Sequence, residues 1–373
     1  MRDFSCPKCR QQLTFENSLC LSCQSTLGFD PATRSFAILT PEGTCVAGVA
    51  MTACANRELA VCNWLAPADS QAGLCMSCAL TRTRPADTDL DALPAFAEAE
   101  SAKRRLIFEL IEIGLPVHGR DVDPENGLCF DLLSSSHEHV ATGHADGVIT
   151  LDLAEGDDVH REQLRVSMAE SYRTLLGHFR HEAGHYYFTV LAEHGDGRAR
   201  FRELFGDPEA DYQAALDRHY QEGPAPDWQD SYISAYASMH PAEDWAETFA
   251  HYLHIRDTLD TAAAFGFAPA AAAATASLAG EVGFRRIVDL WLPLAWSLNM
   301  INRSMGYQDL YPFLLPPRAL DKMRLVHRLV TAAATSGEKP EIKPSLAWPR
   351  RSSVDAAIRR GARRHRASRR IDG

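Results

Sequence analysis

The chain has 373 residues, 46% of them hydrophobic, and a formal net charge of −11 from 38 basic and 49 acidic side chains. That is enough apolar material for one sizeable core with accessory modules, and the acidic balance argues against a general nucleic-acid-binding surface, which makes a whole domain basic. The charge is unevenly spread: from Arg350 to Gly373 nine arginines stand against Asp355 and Asp372, so the rest of the chain is more acidic still.

Met1 to Cys9 is short and polar and does not read as a signal peptide. The longest apolar stretch, Ile287 to Ile301, is broken by Asp289 and Pro293 and is too short for a membrane span. The Ala-rich run Thr261–Ala279 contains Pro269 and is too weakly apolar to insert. A soluble, cytoplasmic protein with no membrane partner is expected. Ten cysteines, most of them in CxxC pairs, then point to metal in a reducing compartment rather than to disulfides.

Four regions follow in order: 1–38 and 39–85, both cysteine-rich; 86–335, with Cys129 alone; and 336–373, whose Pro, Lys, Ser and Arg read as a basic disordered tail. In the first region Cys6-Pro-Lys-Cys9 and Cys20-Leu-Ser-Cys23 are two knuckles separated by ten residues. They bring four thiolates to one tetrahedral zinc, which supplies folding energy that so short a module lacks. Phe4, Phe15 and Phe29 are its expected miniature core. The second region offers five cysteines for four places: Cys54, Cys62, Cys75 and Cys78 make the better set, with Cys45 left over. Cys45 and Cys129 are then read as ordinary buried residues.

In the large region, helices are predicted over Ala102–Leu115, Asp158–Ala169, from a Ser171 cap to about Glu193, and over Pro208–Tyr220, Pro241–Thr258, Glu281–Asn299 and Pro317–Ala333. Short strands are predicted over Gly127–Leu133 and Gly147–Leu153. The fold class is α+β: zinc ribbons, then a mainly helical domain with a small β-sheet.

The helix after Ser171 carries His181-Glu182-Ala183-Gly184-His185. In this HExxH spacing, i and i+4 put both imidazoles on one helical face to hold a zinc. Glu182 lies beside the open position, as a general base for a metal-activated water. Leu175, Leu176, Phe179, Tyr186 and Val190 supply the apolar setting, and Gly184 allows close packing. His178, three residues before His181, either lines the cleft or packs in the core; Tyr186, Tyr187 and Tyr232 are core candidates.

Downstream, Glu243, Ala246, Glu247 and Phe249 resemble, position by position, the third-ligand helix of Glu-type zincins. On this registration Glu243 is the third ligand and Glu247 fixes a ligand histidine from behind. In a second registration Glu247-Thr-Phe-Ala resembles the ligand segment of certain aminopeptidases, and Glu247 is itself the ligand. Tyr236, seven residues before Glu243, resembles a tyrosine that donates to the oxyanion in related enzymes; its alternative is packing. Asp244, His251 and His254 are weaker candidates.

Longer stretches extend the likeness: Cys54-Ala-Asn-Arg-Glu-Leu-Ala-Val-Cys62-Asn-Trp, Ala102-Lys-Arg-Arg-Leu, Thr142-Gly-His-Ala-Asp-Gly, Tyr172 through Tyr187, and Ser234-Ala-Tyr-Ala-Ser with Glu243-Asp-Trp-Ala-Glu247. Over residues 1–335 the chain resembles the bacterial family of zinc-binding metallopeptidases with an N-terminal zinc ribbon. That resemblance implies a zincin-type fold, one catalytic and one or two structural zinc ions, and a peptide or protein substrate. The Arg350–Arg370 tail lies outside it and is the candidate contact for nucleic acid or an acidic partner. A non-catalytic protein that binds through ribbons and tail is the alternative function.

Overall fold

In the computed structural model, which describes residues 2–70, 72–136, 139–157, 174–193, 195–272 and 278–336, the chain folds as α+β. The expected helix Asp158–Ala169, the Ser171 cap and the Arg350–Arg370 run lie outside the described residues.

The N-terminal region is built from short hairpins. Phe4–Ser5 pairs with Gln12–Leu13, Leu27–Asp30 with Ser35–Ile38, and Thr44–Val46, Val49–Ala53 and Leu65–Pro67 form a third antiparallel sheet. Each knuckle of the first Cys set closes in the same way. Arg10 N–H donates to Cys6 O (2.9 Å) and Gln24 N–H to Cys20 O (2.8 Å), and both residues adopt a left-handed conformation (φ 64° and 57°). A non-glycine residue tolerates that conformation only where its surroundings enforce it.

Phe4, Phe15 and Phe29 do cluster, but not as a separate core. Phe108, from the long helix Leu93–Glu112, inserts among them, with ring centroids 5.0 Å from Phe15 and 5.7 Å from Phe29. That helix begins nine residues before the predicted Ala102. Pro94 opens its first turn, and Phe96 and Ala99 extend its buried face. Cys45 is exposed rather than buried: it faces outward from a strand of the three-stranded sheet that the core does not cover, whereas Cys129 is buried as expected.

The main sheet runs in the order Gly143–Ala145, Val148–Asp152, Cys129–Leu133, Thr81–Thr83. Its outer strand Thr81–Thr83 follows directly on the last cysteine knuckle and pairs in parallel with Cys129–Leu133. At the opposite edge Asp146 and Gly147 (φ 49° and 78°) turn the hairpin as a two-residue loop with both φ positive, the geometry that matches strand twist. Ile149 and Leu151 point to the core, as the alternation requires.

Two helices carry the rest. Leu175–Leu191 is capped by Thr174, whose Oγ1 accepts from Gly177 N–H (3.0 Å). Pro241–Ala264 is capped by His240, whose Nδ1 accepts from Ala242 N–H (3.1 Å), with Pro241 in the first turn. It runs six residues beyond the predicted Thr258 because Leu259 and Ala262 continue the buried face. The two helices approach most closely at Gly184, where an added Cβ would lie 2.9 Å from Ala246 Cα and 3.1 Å from Ala246 O. Trp245 Nε1 donates to Gly184 O (2.8 Å) across the same contact. Gly280–Ser304 and Pro317–Ser336 pack around this pair, whereas Tyr212–Glu222 buries Tyr212, Ala215 and Leu216 in a small cluster of its own with Met239. Among the described residues no helix is long and apolar enough to cross a membrane.

Gly184→Ala gains helix propensity but meets backbone, not a flexible side-chain tip. It is expected to cost about 1–3 kcal/mol, read as a lower urea midpoint at unchanged slope. A pH dependence follows from buried histidines. His327 donates from Nε2 to Gly280 O (3.0 Å) and accepts at Nδ1 from Tyr252 O–H (3.0 Å), so its neutral form is satisfied on both sides. Burial holds His327 down to about 4 and His254 to about 3. The unfolded chain therefore binds protons that the native state refuses, and stability is lost as pH falls from about 6.5 toward 4, by up to about 1.4 kcal/mol per pH unit for each histidine. Urea unfolding across this range is expected to show that fall, shallower in His327→Gln.

Candidate metal centre

The HExxH helix turns both histidines toward the Pro241–Ala264 helix, which answers with Glu243 from its first turn. His181 Nε2 lies 3.0 Å from Glu243 Oε2, and His185 Nε2 lies 3.6 Å from Glu243 Oε1. One ligand atom from each of the three falls within 4.8 Å of the others, and all three residues are buried. Bonds of about 2.1 Å at a tetrahedral angle separate ligand atoms by about 3.4 Å, so this spacing suits one zinc ion.

Two of the three side chains, His181 and Glu243, are oriented from behind. His181 Nδ1–H donates to Glu247 Oε1 (2.7 Å), which leaves Nε2 as the lone-pair side facing Glu243. Ser234 Oγ–H donates to the other Glu247 oxygen (2.7 Å). Tyr212 O–H donates to Glu243 Oε1 (2.9 Å) from a helix 31 residues upstream. The cluster thus contains Glu243 with its two histidines, and Glu247 one helical turn behind. Asp244 faces away, ion-paired to buried Lys322 at 2.5 Å. His251 meets the Tyr311 hydroxyl (2.9 Å), and His254 packs against Trp291 and Tyr311. Tyr236 is close, its ring centroid 6.2 Å from that of His181. Tyr186 and Tyr187 are core residues, whereas Tyr232 is half-buried beneath the Lys322 ammonium, 4.0 Å from its ring centre.

The electrostatics call for a cation. Burial by itself would push His181 down, yet Glu243 and Glu247 overcome it and raise the ring to about 10. Burial would likewise raise Glu243, but His185 and His181 hold it well below the carboxylate range. A buried and a half-buried carboxylate around one imidazole favour positive charge at their centre, and a divalent ion can supply it to the same donor set.

The cysteines form two further groups, Cys6, Cys9, Cys20 and Cys23, and Cys54, Cys62, Cys75 and Cys78. Sulfur atoms stand 3.7 Å apart in Cys6–Cys23, 3.5 Å in Cys9–Cys20 and 3.7 Å in Cys62–Cys75. A disulfide requires about 2.05 Å, whereas four sulfurs on one zinc at about 2.3 Å sit about 3.8 Å from each other. The second group is wholly buried. Cys78 Sγ there lies 3.6 Å from Glu100 Oε2, and Glu100 pairs with buried Lys103 at 2.6 Å, so a cation stands near the thiolates.

Sequence reasoning did not find Tyr212, Ser234 or Glu155. Ser234 lay inside a stretch already singled out, but nothing local marks Tyr212 or Glu155, which reach the site only through folding.

Residues 92–329 match the family described as "Putative zinc-binding metallo-peptidase", and residues 3–89 match a zinc-ribbon domain. A protein of Mycobacterium bovis and two from strains of Mycobacterium tuberculosis, each called "Uncharacterized protein", are 59% identical over 346 residues, which cover 92% of this chain and 98% of theirs. No solved structure matches the chain significantly. A histidine pair and a carboxylate that converge inside the longer matched stretch, with a cysteine-rich region matched just ahead of it, accord with that description: the chain belongs to this family of zinc-binding metallopeptidases and carries an N-terminal zinc ribbon.

Proposed function

We propose that the chain hydrolyses peptide bonds at a zinc ion held by His181, His185 and Glu243, with Glu182 as general base. The observation that carries this reading is the convergence within 4.8 Å of one ligand atom each from His181 and His185, on the helix that also bears Glu182, and from Glu243 on the helix facing it. When bound, zinc acts as a Lewis acid that polarises the scissile carbonyl and acidifies water. The chain's own residues do the rest. Glu182, almost wholly buried at 1% exposure, takes a proton from the attacking water and passes it to the leaving amine. Glu247 and Ser234 keep His181 in the tautomer that offers Nε2, and Tyr212 fixes the Glu243 carboxylate. Tyr236, beside His181, donates its hydroxyl to the developing oxyanion. The two cysteine groups hold structural zinc. The substrate is a peptide or protein, and the Arg350–Arg370 run is a candidate contact for an acidic partner.

Elemental analysis of the full chain is expected to find three zinc ions per molecule, falling to two in His185→Ala and Glu243→Ala. Two in the unaltered protein, unchanged by Glu243→Ala, would rule the reading out. Glu182→Gln is expected to retain all three while hydrolysis of a peptide library drops by at least about a hundredfold, because the base is not a ligand. Tyr236→Phe is expected to lower kcat by about a hundredfold with little change in KM.

A further inference from the structure

Glu182 has a neighbour one turn earlier on its own helix. His178 Nε2 lies 3.3 Å from Glu182 Oε1. The opposite ring nitrogen, Nδ1, lies 2.5 Å from Glu155 Oε2. Glu155 belongs to the short 3-10 turn Leu153–Gly156 that ends the central strand Val148–Asp152. Its second oxygen accepts from Thr142 Oγ1 (3.0 Å), and that hydroxyl accepts from Asp152 N–H (3.0 Å). Thr142, Glu155, His178 and Glu182 are each at least nine-tenths buried.

This chain is not a second metal site. The two carboxylates face opposite nitrogens of one imidazole, so they cannot converge on one ion; the ring bridges them instead. Nor is it an economical way to fasten sheet to helix. Buried ionisable groups are costly to desolvate, and apolar contacts of the same size fasten at least as well. What the chain does, and an apolar contact cannot, is fix the orientation of a carboxylate. Nδ1–H donates to Glu155, whose own rotation is fixed by Thr142 and through it by the strand backbone. The ring plane is thereby set, and Nε2 stands 3.3 Å from one oxygen of Glu182, an ion-pair contact made with the ring protonated on both nitrogens. A base must lie within about 2.6–3.2 Å of the proton it takes, and that requires a set side-chain torsion.

We propose that His178 is the positioning residue of Glu182, oriented in turn by Glu155 and Thr142, so that the sheet dictates the attitude of the base through a buried carboxylate–imidazole–carboxylate chain. With Oε1 turned toward the imidazole, proton pick-up falls to Oε2. The proposal rests on the reading of Glu182 as the general base.

The test uses the full-length zinc-loaded protein and acetohydroxamate, added as the hydroxamic acid, a zinc chelator whose hydroxyl proton passes to the base as it binds. His178→Phe is expected to keep all of its zinc and to bind acetohydroxamate at least about tenfold more weakly by calorimetry. The double variant His178→Phe/Glu182→Gln is expected to bind no more weakly than Glu182→Gln alone, because the histidine acts only through the glutamate. Unchanged affinity in His178→Phe, or losses that add, overturn the proposal. If His178→Phe does not fold, Glu182→Gln decides the matter: the 15N resonances of the His178 ring must move while those of remote His327 do not, and a His178 ring that does not respond overturns it. Failure of the base assignment looks different. Glu182→Gln would then bind acetohydroxamate as tightly as the unaltered chain, while the His178 resonances still moved and upheld the link between the two side chains.

Discussion

The contact between Gly184 and Ala246 is the constraint on which the cluster of His181, His185 and Glu243 depends. His181 and His185 share a helix, so their mutual placement follows from the helix itself, but the carboxylate of the cluster comes from another helix, 58 residues beyond His185. For Glu243 to reach both rings, the helix axes must come closer than ordinary side chains permit. Glycine against alanine allows this, and the Trp245 indole that donates to Gly184 O closes the gap from the side. A Cβ at Gly184 would press on the Ala246 backbone, so the helices would have to part and carry the carboxylate with them.

Charge balance reinforces that packing. Glu243, Glu247 and His181 are buried together, and none of their charges is tolerable alone in that setting. The same logic recurs nearby: Asp244 is buried against Lys322, and Arg180 is held between Glu109 and Asp257. These pairs tie the two central helices to the Leu93–Glu112 and Pro317–Ser336 helices. The site is therefore braced by ionic contacts on several sides rather than by one apolar face.

The cysteine-rich region is part of this framework. Phe108 stands among the ribbon phenylalanines, Arg104 donates to the carbonyls of Ala60 and Val61, and Thr81–Thr83 supplies a strand of the main sheet. Contacts cross the point near residue 85 where the cysteine-rich stretch ends, because a module too small to bury its own aromatics completes its core with those of its neighbour.

Local chemistry made much of this legible. The two CxxC sets, the HExxH pair, the helices at Pro241 and Pro317 and the alternation around Ile149 and Leu151 depend on near neighbours in the chain, where spacing alone puts side chains on one face. The ends of helices were less legible: the start of Leu93–Glu112 and the length of Pro241–Ala264 depend on which apolar residues find a surface to bury against. The exposure of Cys45 was misjudged for the same reason, since composition does not reveal which sheet face the core covers. Tertiary structure alone decided which carboxylate of the pair Glu243 and Glu247 stands among the histidines and which behind. Both lie on one helical face a single turn apart, and only the crossing of the two helices distinguishes them. Tyr212, Ser234 and the Glu155–His178 link belong to the same category, because hydrogen bonds between distant segments leave no periodic trace in the sequence. Spacing along the chain thus sets the donor atoms available for metal chemistry; their convergence and order follow from how closely two helices can pack.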